Sequence, residues 1–518
     1  MSTQFFASKI RPVLLVWALM VVWPTFVMSE YRSINTKFLL TLEDLTLPKS
    51  ESMGLLGGQY LYKLQPRFAL GLGIYGAMTG KRGGFFTGGL ESRFSYPIIR
   101  QFNLDLGGFI GGGGGGAAPQ GGGLMLRYYS QVKYDIFDNT SLAFGISKID
   151  FPNGEISSRQ YFLAYQQRFL TWYEPGWSAK ISKPISNASK TISWMTRNLQ
   201  IRQTGYFPSR YLKKTNGDVY APNLQIIGIA WQQYNYQKKL FYELETGGAW
   251  SGGIDGFAQV FFGLGKYFEI SDYFSLKMRL ALGSAGGGGV DTGGGALFRT
   301  SVGLDTLIKH NFTLGLMFAY SASVDGAFRL PSIQFSVGRH YALVNNIHSA
   351  QQLAALKDSQ KQLLRIRAAW QRYLITGKQA RKGNKQFAEQ GVDLFSLKLD
   401  SFFNRNWYLS GQAHGAFNGG AGGYAVGLLG MGFMWTTALM SPALEMNLGA
   451  AGGGGLDVGT GLVAQPMLSL SYALSKTLAV ETGLGYFLSL NGGLVTPVFN
   501  LGLEYRFAVS RGLNIASQ

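Results

Sequence analysis

Three glycine marks recur in one order, three times, along this chain of 518 residues. The first is Gly76, Gly248 and Gly415, each followed by Ala and two residues later closed by a polar residue and Gly. The second is a cluster around Gly113, Gly287 and Gly453. The third is Asn153-Gly154, Asp325-Gly326 and Asn491-Gly492. Matching offsets near a period of about 170 residues make the chain a tandem triplication. All nine glycines read as structural turns. The third mark reads as a hairpin signal, because a two-residue primed turn needs positive φ, which Asn, Asp and Gly tolerate best.

Between the marks the pattern has period two. Phe274, Leu276, Met278, Leu280 and Leu282 alternate with Ser275, Lys277, Arg279 and Ala281. Phe102, Leu104 and Leu106 alternate with Asn103 and Asp105. Such spacing puts apolar side chains on one face of a strand and polar or small ones on the other. About eight such runs fill each unit. The fold class expected is therefore all-β. Inner-facing positions are often glycine (Gly71, Gly73, Gly107, Gly338, Gly502), which implies a confined interior.

The start of the chain reads as a secretory signal. Lys9 and Arg11 precede an apolar run from Val13 to Trp23, and Val27-Met28-Ser29 offers a cleavage site. That run is too short to span a bilayer, which needs ~20 residues, but suits a signal core. Residues 1–29 are thus expected to be removed, leaving Glu30 at or near the mature start. Beyond Ser29 no segment is apolar for long enough to cross a membrane as a helix, so any crossing is made by strands. With no cysteine, disulfide frameworks and thiolate metal sites are excluded.

An exported chain of alternating ~10-residue segments suits a transmembrane antiparallel β-barrel. Lipid supplies no hydrogen-bond partner, so an open sheet edge is excluded there. A periplasmic β-sandwich also alternates, but would normally carry more Lys and Glu on its wet faces. The last run, Leu501-Gly502-Leu503-Glu504-Tyr505-Arg506-Phe507, resembles the terminal strand of bacterial outer-membrane β-barrel proteins. The resemblance implies an outer-membrane location and casts Tyr505 and Phe507 as an insertion signal for the assembly machinery. The family pattern stops at the aromatic residue, whereas this chain continues to Gln518.

The net charge of +19 is concentrated. Thr171 to Val219 holds eight basic and two acidic residues, and Ile347 to Gln390 holds nine and two. The strands are then nearly neutral in sum. The expected organisation is residues 30–170, 198–346 and 391–518 as barrel repeats, with basic junctions at 171–197 and 347–390. In the second junction, Leu353, Leu356, Leu363, Ile366, Trp370 and Tyr373 recur at helical spacing among Lys357, Lys361, Arg365 and Arg372. This predicts an amphipathic helix, packed against a barrel end or lying on anionic lipid. The junctions are candidate contacts for envelope partners. Nucleic acid is not an expected partner, because the chain is exported and no recognition fold accompanies the charge.

Little in the sequence points to catalysis. His310, His340, His348 and His414 are not spaced with one another or with carboxylates as a metal site requires. Glu243 and Glu245 lie two apart on one strand face. They are better read as interior ion pairs with Lys277 and Arg279 than as an acid/base couple. The glycine clusters lack the Lys-Ser or Lys-Thr of a phosphate loop. No cofactor, metal or catalytic residue is assigned.

Two architectures fit: three small barrels of about eight strands, or one barrel of roughly 24. Gly-rich interiors and long junctions favour three. Low lumen charge and basic connectors then suggest a non-enzymatic envelope role, as a structural scaffold or part of an export or surface assembly. The alternative is a solute-conducting pore, and a third reading is a lipid-modifying barrel enzyme.

Overall fold

In the computed structural model the described residues are 32–177, 193–207, 223–308, 311–347, 361–375, 391–437 and 439–510, with a few isolated ones between. The expected signal segment lies outside them, as do His310 and His348. Alternation gives strands throughout. The first eight are β1 (Arg32–Leu47), β2 (Glu51–Lys63), β3 (Phe68–Gly80), β4 (Phe86–Ile99), β5 (Phe102–Gly114), β6 (Met125–Phe137), β7 (Thr140–Asp150) and β8 (Ser157–Pro175). The next are β9 (Ser193–Tyr206), β10 (Leu224–Asn235), β11 (Leu240–Ser251), β12 (Ala258–Glu269), β13 (Phe274–Gly286), β14 (Ala296–Leu307), β15 (Phe312–Ser323) and β16 (Arg329–Asn346). The last are β17 (Lys361–Tyr373), β18 (Val392–Phe402), β19 (Trp407–Asn418), β20 (Ala425–Met434), β21 (Met440–Gly452), β22 (Leu462–Ala473), β23 (Leu478–Ser489) and β24 (Val495–Ser510).

Every strand pairs antiparallel with its chain neighbour inside its set of eight. The second set is a closed barrel, with β16 returning to β9 from Ser332–Tyr206 to Asn346–Ser193. In the first set β1 pairs with β8, and in the third β17 pairs with β24. A two-residue ladder, Phe507 to Pro175 and Ala508 to Glu174, joins those two circuits through β24 and β8. Each circuit of pairings forms a ring. Closure leaves no long sheet edge, which is what hydrocarbon demands of a backbone.

The side chains sort as the alternation predicts. Leu276, Met278, Leu280 and Leu282 point outward, and Leu280 is 57% exposed. Lys277, Arg279 and Ala281 are buried inside. Leu163, Phe318 and Leu484, from the three rings, are likewise more than half exposed. Apolar surface on this scale, wrapped round every ring, is covered only by lipid or by another apolar body. Among the described residues no helix is long and apolar enough to cross a membrane.

Four expectations about local structure need correction. Lys361 to Tyr373 is strand β17, not the second half of an amphipathic helix. Gln352, Leu353 and Leu356 are helical, and Leu356 packs with Val344 beside Trp172. From Lys361 onward the period is two: Arg365, Arg367, Ala369, Gln371 and Tyr373 face inward. The helical spacing of Leu363, Ile366, Trp370 and Tyr373 was a coincidence of short apolar runs. Two sheet edges, β18 and β24, then claim the backbone. The third ring therefore begins inside the expected 347–390 junction. In the same way β8 runs on to Pro175, past residue 170, and β9 starts at Ser193, before residue 198.

Gly76, Gly248 and Gly415 are not turns. They lie inside β3, β11 and β19. Gly154, Gly326 and Gly492 do lie in connections between paired strands, but not in two-residue primed turns. Those loops run 151–156, 324–328 and 490–494, and none of the three glycines has positive φ. A side chain at Gly154 would collide with the loop at Pro119–Gly121, so close approach is what selects glycine there. Gly113, Gly287 and Gly453 do have positive φ, at 147°, 95° and 86°, where strands β5, β13 and β21 end.

Candidate functional site

The polar faces of the strands meet inside each ring, where the sequence placed charged residues two apart on one face. In the first ring, Arg127 donates to Glu43 at 2.9 Å and its guanidinium lies 4.4 Å from the Tyr129 ring. Tyr75 donates to Glu91 at 2.9 Å, and Arg93 to the Tyr129 hydroxyl at 2.9 Å. Gly107 belongs to this layer: a Cβ there would overlap the Tyr129 ring. Its missing side chain makes room for the aromatic ring.

In the second ring Arg202 bridges Glu243, at 2.8 Å, and Glu245, at 2.5 Å. Arg279 also contacts both, and Arg299 pairs with Glu245 at 2.6 Å. The expected partnership of these carboxylates with Arg279 is present. The one with Lys277 is not, because Lys277 pairs with Asp305 across the β13–β14 ladder. Arg202 and Arg299 are the partners that sequence reasoning missed, since the facing strand cannot be read from one strand's pattern.

In the third ring Arg367 donates to Asp400 at 2.8 Å, Glu445 at 2.7 Å and Glu481 at 3.1 Å. Arg365 binds Asp400 at 2.7 Å and Glu504 at 2.9 Å. All these groups are almost wholly buried. His340 and His414 are lumen residues too. Asn198 lies 3.4 Å from one His340 ring nitrogen, and His414 is buried with neither ring nitrogen hydrogen-bonded to protein. Several other lumen atoms lack a protein partner, among them both amide atoms of Gln371 and the side-chain carbonyl of Asn500. Buried polar groups of this kind are ordinarily met by water.

Above each charged belt, at the end with the longer loops, the lumen is apolar. Loop residues Phe85, Phe151 and Ile156 pack on Leu55 and Met125 in the first ring. Ile254, Phe257, Val290 and Phe328 do so in the second, and Tyr424, Leu456, Val458 and Leu494 in the third. Each ring thus carries a charged belt beneath an apolar plug. Among the described residues no three His, Asp or Glu side chains are grouped to hold a metal ion.

Tyr505 and Phe507 sit on the outer face of β24. Phe507 meets Tyr173 of β8 edge-to-face, with ring centroids 6.3 Å apart. It therefore stands at a seam between the first and third rings. Phe507→Ala is expected to lower the amount of assembled protein in the outer-membrane fraction more than Phe169→Ala or Tyr341→Ala. Equal effects at all three would remove any special role for the last strand.

No protein-family model matches the chain, and no curated protein does. Solved structures do. OccK11 (OpdR) of Pseudomonas aeruginosa is 12% identical, with 92% of this chain and 96% of that one covered and a TM-score of 0.19. OccK2 (OpdF) of the same organism, solved with glucuronate, is 9% identical over 93% and 99%, with a TM-score of 0.22. The P. aeruginosa siderophore receptor PirA is 9% identical over 93% and 80%, with a TM-score of 0.27. The present chain has an all-β, antiparallel barrel architecture of its own, read from its strand pairings. The low scores carry the likeness no further than barrel architecture.

The scaffold or assembly role expected from the sequence is overturned. Its premise fails, because the lumens are not poor in charge. Their charges nearly cancel in sum, which hid them from a net count.

Proposed function

We propose that the protein conducts small polar solutes across the outer membrane, as three parallel eight-strand barrels carried on one chain. The observation behind this reading is the charged belt in every lumen, held between an apolar plug at the long-loop end and a smaller buried cluster at the short-turn end, such as Phe402 and Tyr408 in the third ring. Eight-strand barrels have narrow, side-chain-filled interiors, so the solutes are small. An apolar constriction over a polar path can gate by excluding water. Because short turns face the periplasm in such barrels, the plugs face outward from the cell. No step of bond chemistry is assigned to the lumens.

Planar-bilayer recordings test this directly. The native protein is expected to give small, infrequent conductance steps. Removing the second plug with Phe257→Ala and Phe328→Ala should raise the open fraction at least tenfold. Arg279→Gln in the opened variant should then shift its ion selectivity toward cations. A plug variant that assembles normally and stays silent in the bilayer would defeat the reading.

A further inference from the structure

The glycine marks that no lumen explains lie where one ring touches the next. A Cβ built on Gly76 of the first ring would fall 2.8 Å from the neighbouring Phe86 ring and 3.1 Å from Ser284 Oγ of the second ring. One on Gly248 of the second would fall 3.4 Å from Ala450 Cβ of the third. One on Gly415 of the third would fall 2.7 Å from the Gly112 carbonyl oxygen of the first. Residues 76, 248 and 415 are the first glycine mark; 112 lies within the second, and 284 and 450 stand two residues before it. The third strand of each ring therefore meets the fifth strand of the following one, and the last ring meets the first.

Backbone bonds accompany these contacts. Gly83 N–H donates to Gly293 O between the first and second rings, and Gly423 N–H to Gly113 O between the third and first, both at 3.0 Å. Ser284 Oγ donates to Ala77 O at 2.5 Å. The following loops touch in the same sense, with Gly256 against Gly453 and Gly423 against Gly115. Contacts of this head-to-tail kind either run on as an open row or close after a whole number of steps. Without Cβ atoms two backbones approach closely, as small residues allow between membrane helices.

We propose that the glycine clusters are seats on which the three rings lock into a closed three-membered cycle, each ring docking on the next and the third on the first. This rests on the three-ring reading but not on conduction, so a silent bilayer leaves it standing. Because the chain has no cysteine, engineered pairs report cleanly. The pairs are Gly76→Cys with Ser284→Cys, Gly248→Cys with Ala450→Cys, and Gly415→Cys with Gly112→Cys. A disulfide needs Cβ atoms about 3.5–4.5 Å apart.

After mild oxidation of outer membranes, all three pairs are expected to cross-link. Each should shift mobility on a denaturing gel, reversibly with reductant. Cross-linking of the first two pairs with none in an assembled Gly112/Gly415 variant would mean an open row and would overturn the proposal. If that variant fails to assemble, Gly112→Ser and Gly415→Ser are compared with Gly58→Ser and Gly427→Ser. An added Cβ meets nothing within 4 Å at either of the latter. Failure at the seats alone supports the cycle, and equal behaviour of all four overturns it.

Discussion

Arg367→Met is expected to abolish the heat-resistant folded form of the third ring. The guanidinium serves three carboxylates, Asp400, Glu445 and Glu481, each almost wholly buried. Removing one member of a buried pair costs about 3–5 kcal/mol, because its partner is left charged and unpaired. Arg365 still pairs with Asp400 and Lys398 lies 3.6 Å from Glu481, so Glu445 is the carboxylate that loses its cation. A loss of that size is a large part of a domain's whole stability, roughly 5–15 kcal/mol. Gel mobility without heating, followed against temperature, gives the measurement. Arg367→Lys should lie between, since it keeps the charge but not the planar fork that binds two partners at once. A variant Arg367→Met with native melting behaviour would show that the belt is solvated well enough to need no pairing.

Gly287→Val should be nearly as damaging, for a steric reason. Gly287 has φ of 95°, where a β-branched side chain is strongly disfavoured. A Cβ there would also overlap the carbonyl oxygen of Gly256. Backbone strain alone costs of order 1–3 kcal/mol, and the overlap with a fixed backbone atom adds to it. Gly287→Ala should show a smaller loss. A Gly287→Val protein that assembles and melts normally would refute the steric account of the cluster.

The strands were legible because a barrel with an apolar outer face imposes period two along most of each strand: Leu501, Leu503, Tyr505 and Phe507 outward, Asn500, Gly502, Glu504 and Arg506 inward. The strand count follows from that pattern. What the sequence hid is what depends on pairing across space. Arg365 and Arg367 sit in a stretch so basic that it read as a surface helix. Only their partners, Asp400 on β18, Glu445 on β21 and Glu481 on β23, reveal them as lumen residues. A net charge near zero over the strands likewise cannot tell an uncharged interior from one full of cancelling pairs. The glycine marks were visible as repeats. Their purpose was not, because a residue in a strand or turn carries no sign of what body lies against its missing side chain.

The tandem connection has a consequence for how the three lumens can differ. In a complex of three identical chains, one altered codon appears in every copy, so no channel changes alone. Here each ring has its own codons. The site held by Glu43 in the first ring is Thr204 in the second and Gln371 in the third, and the three docking contacts use Ser284, Ala450 and Gly112. Under the conduction proposed above, one lumen can drift toward a new solute while its two neighbours keep the old one and hold the assembly together. Division of labour within a single molecule is thus open to this protein in a way that it is not to a symmetric trimer.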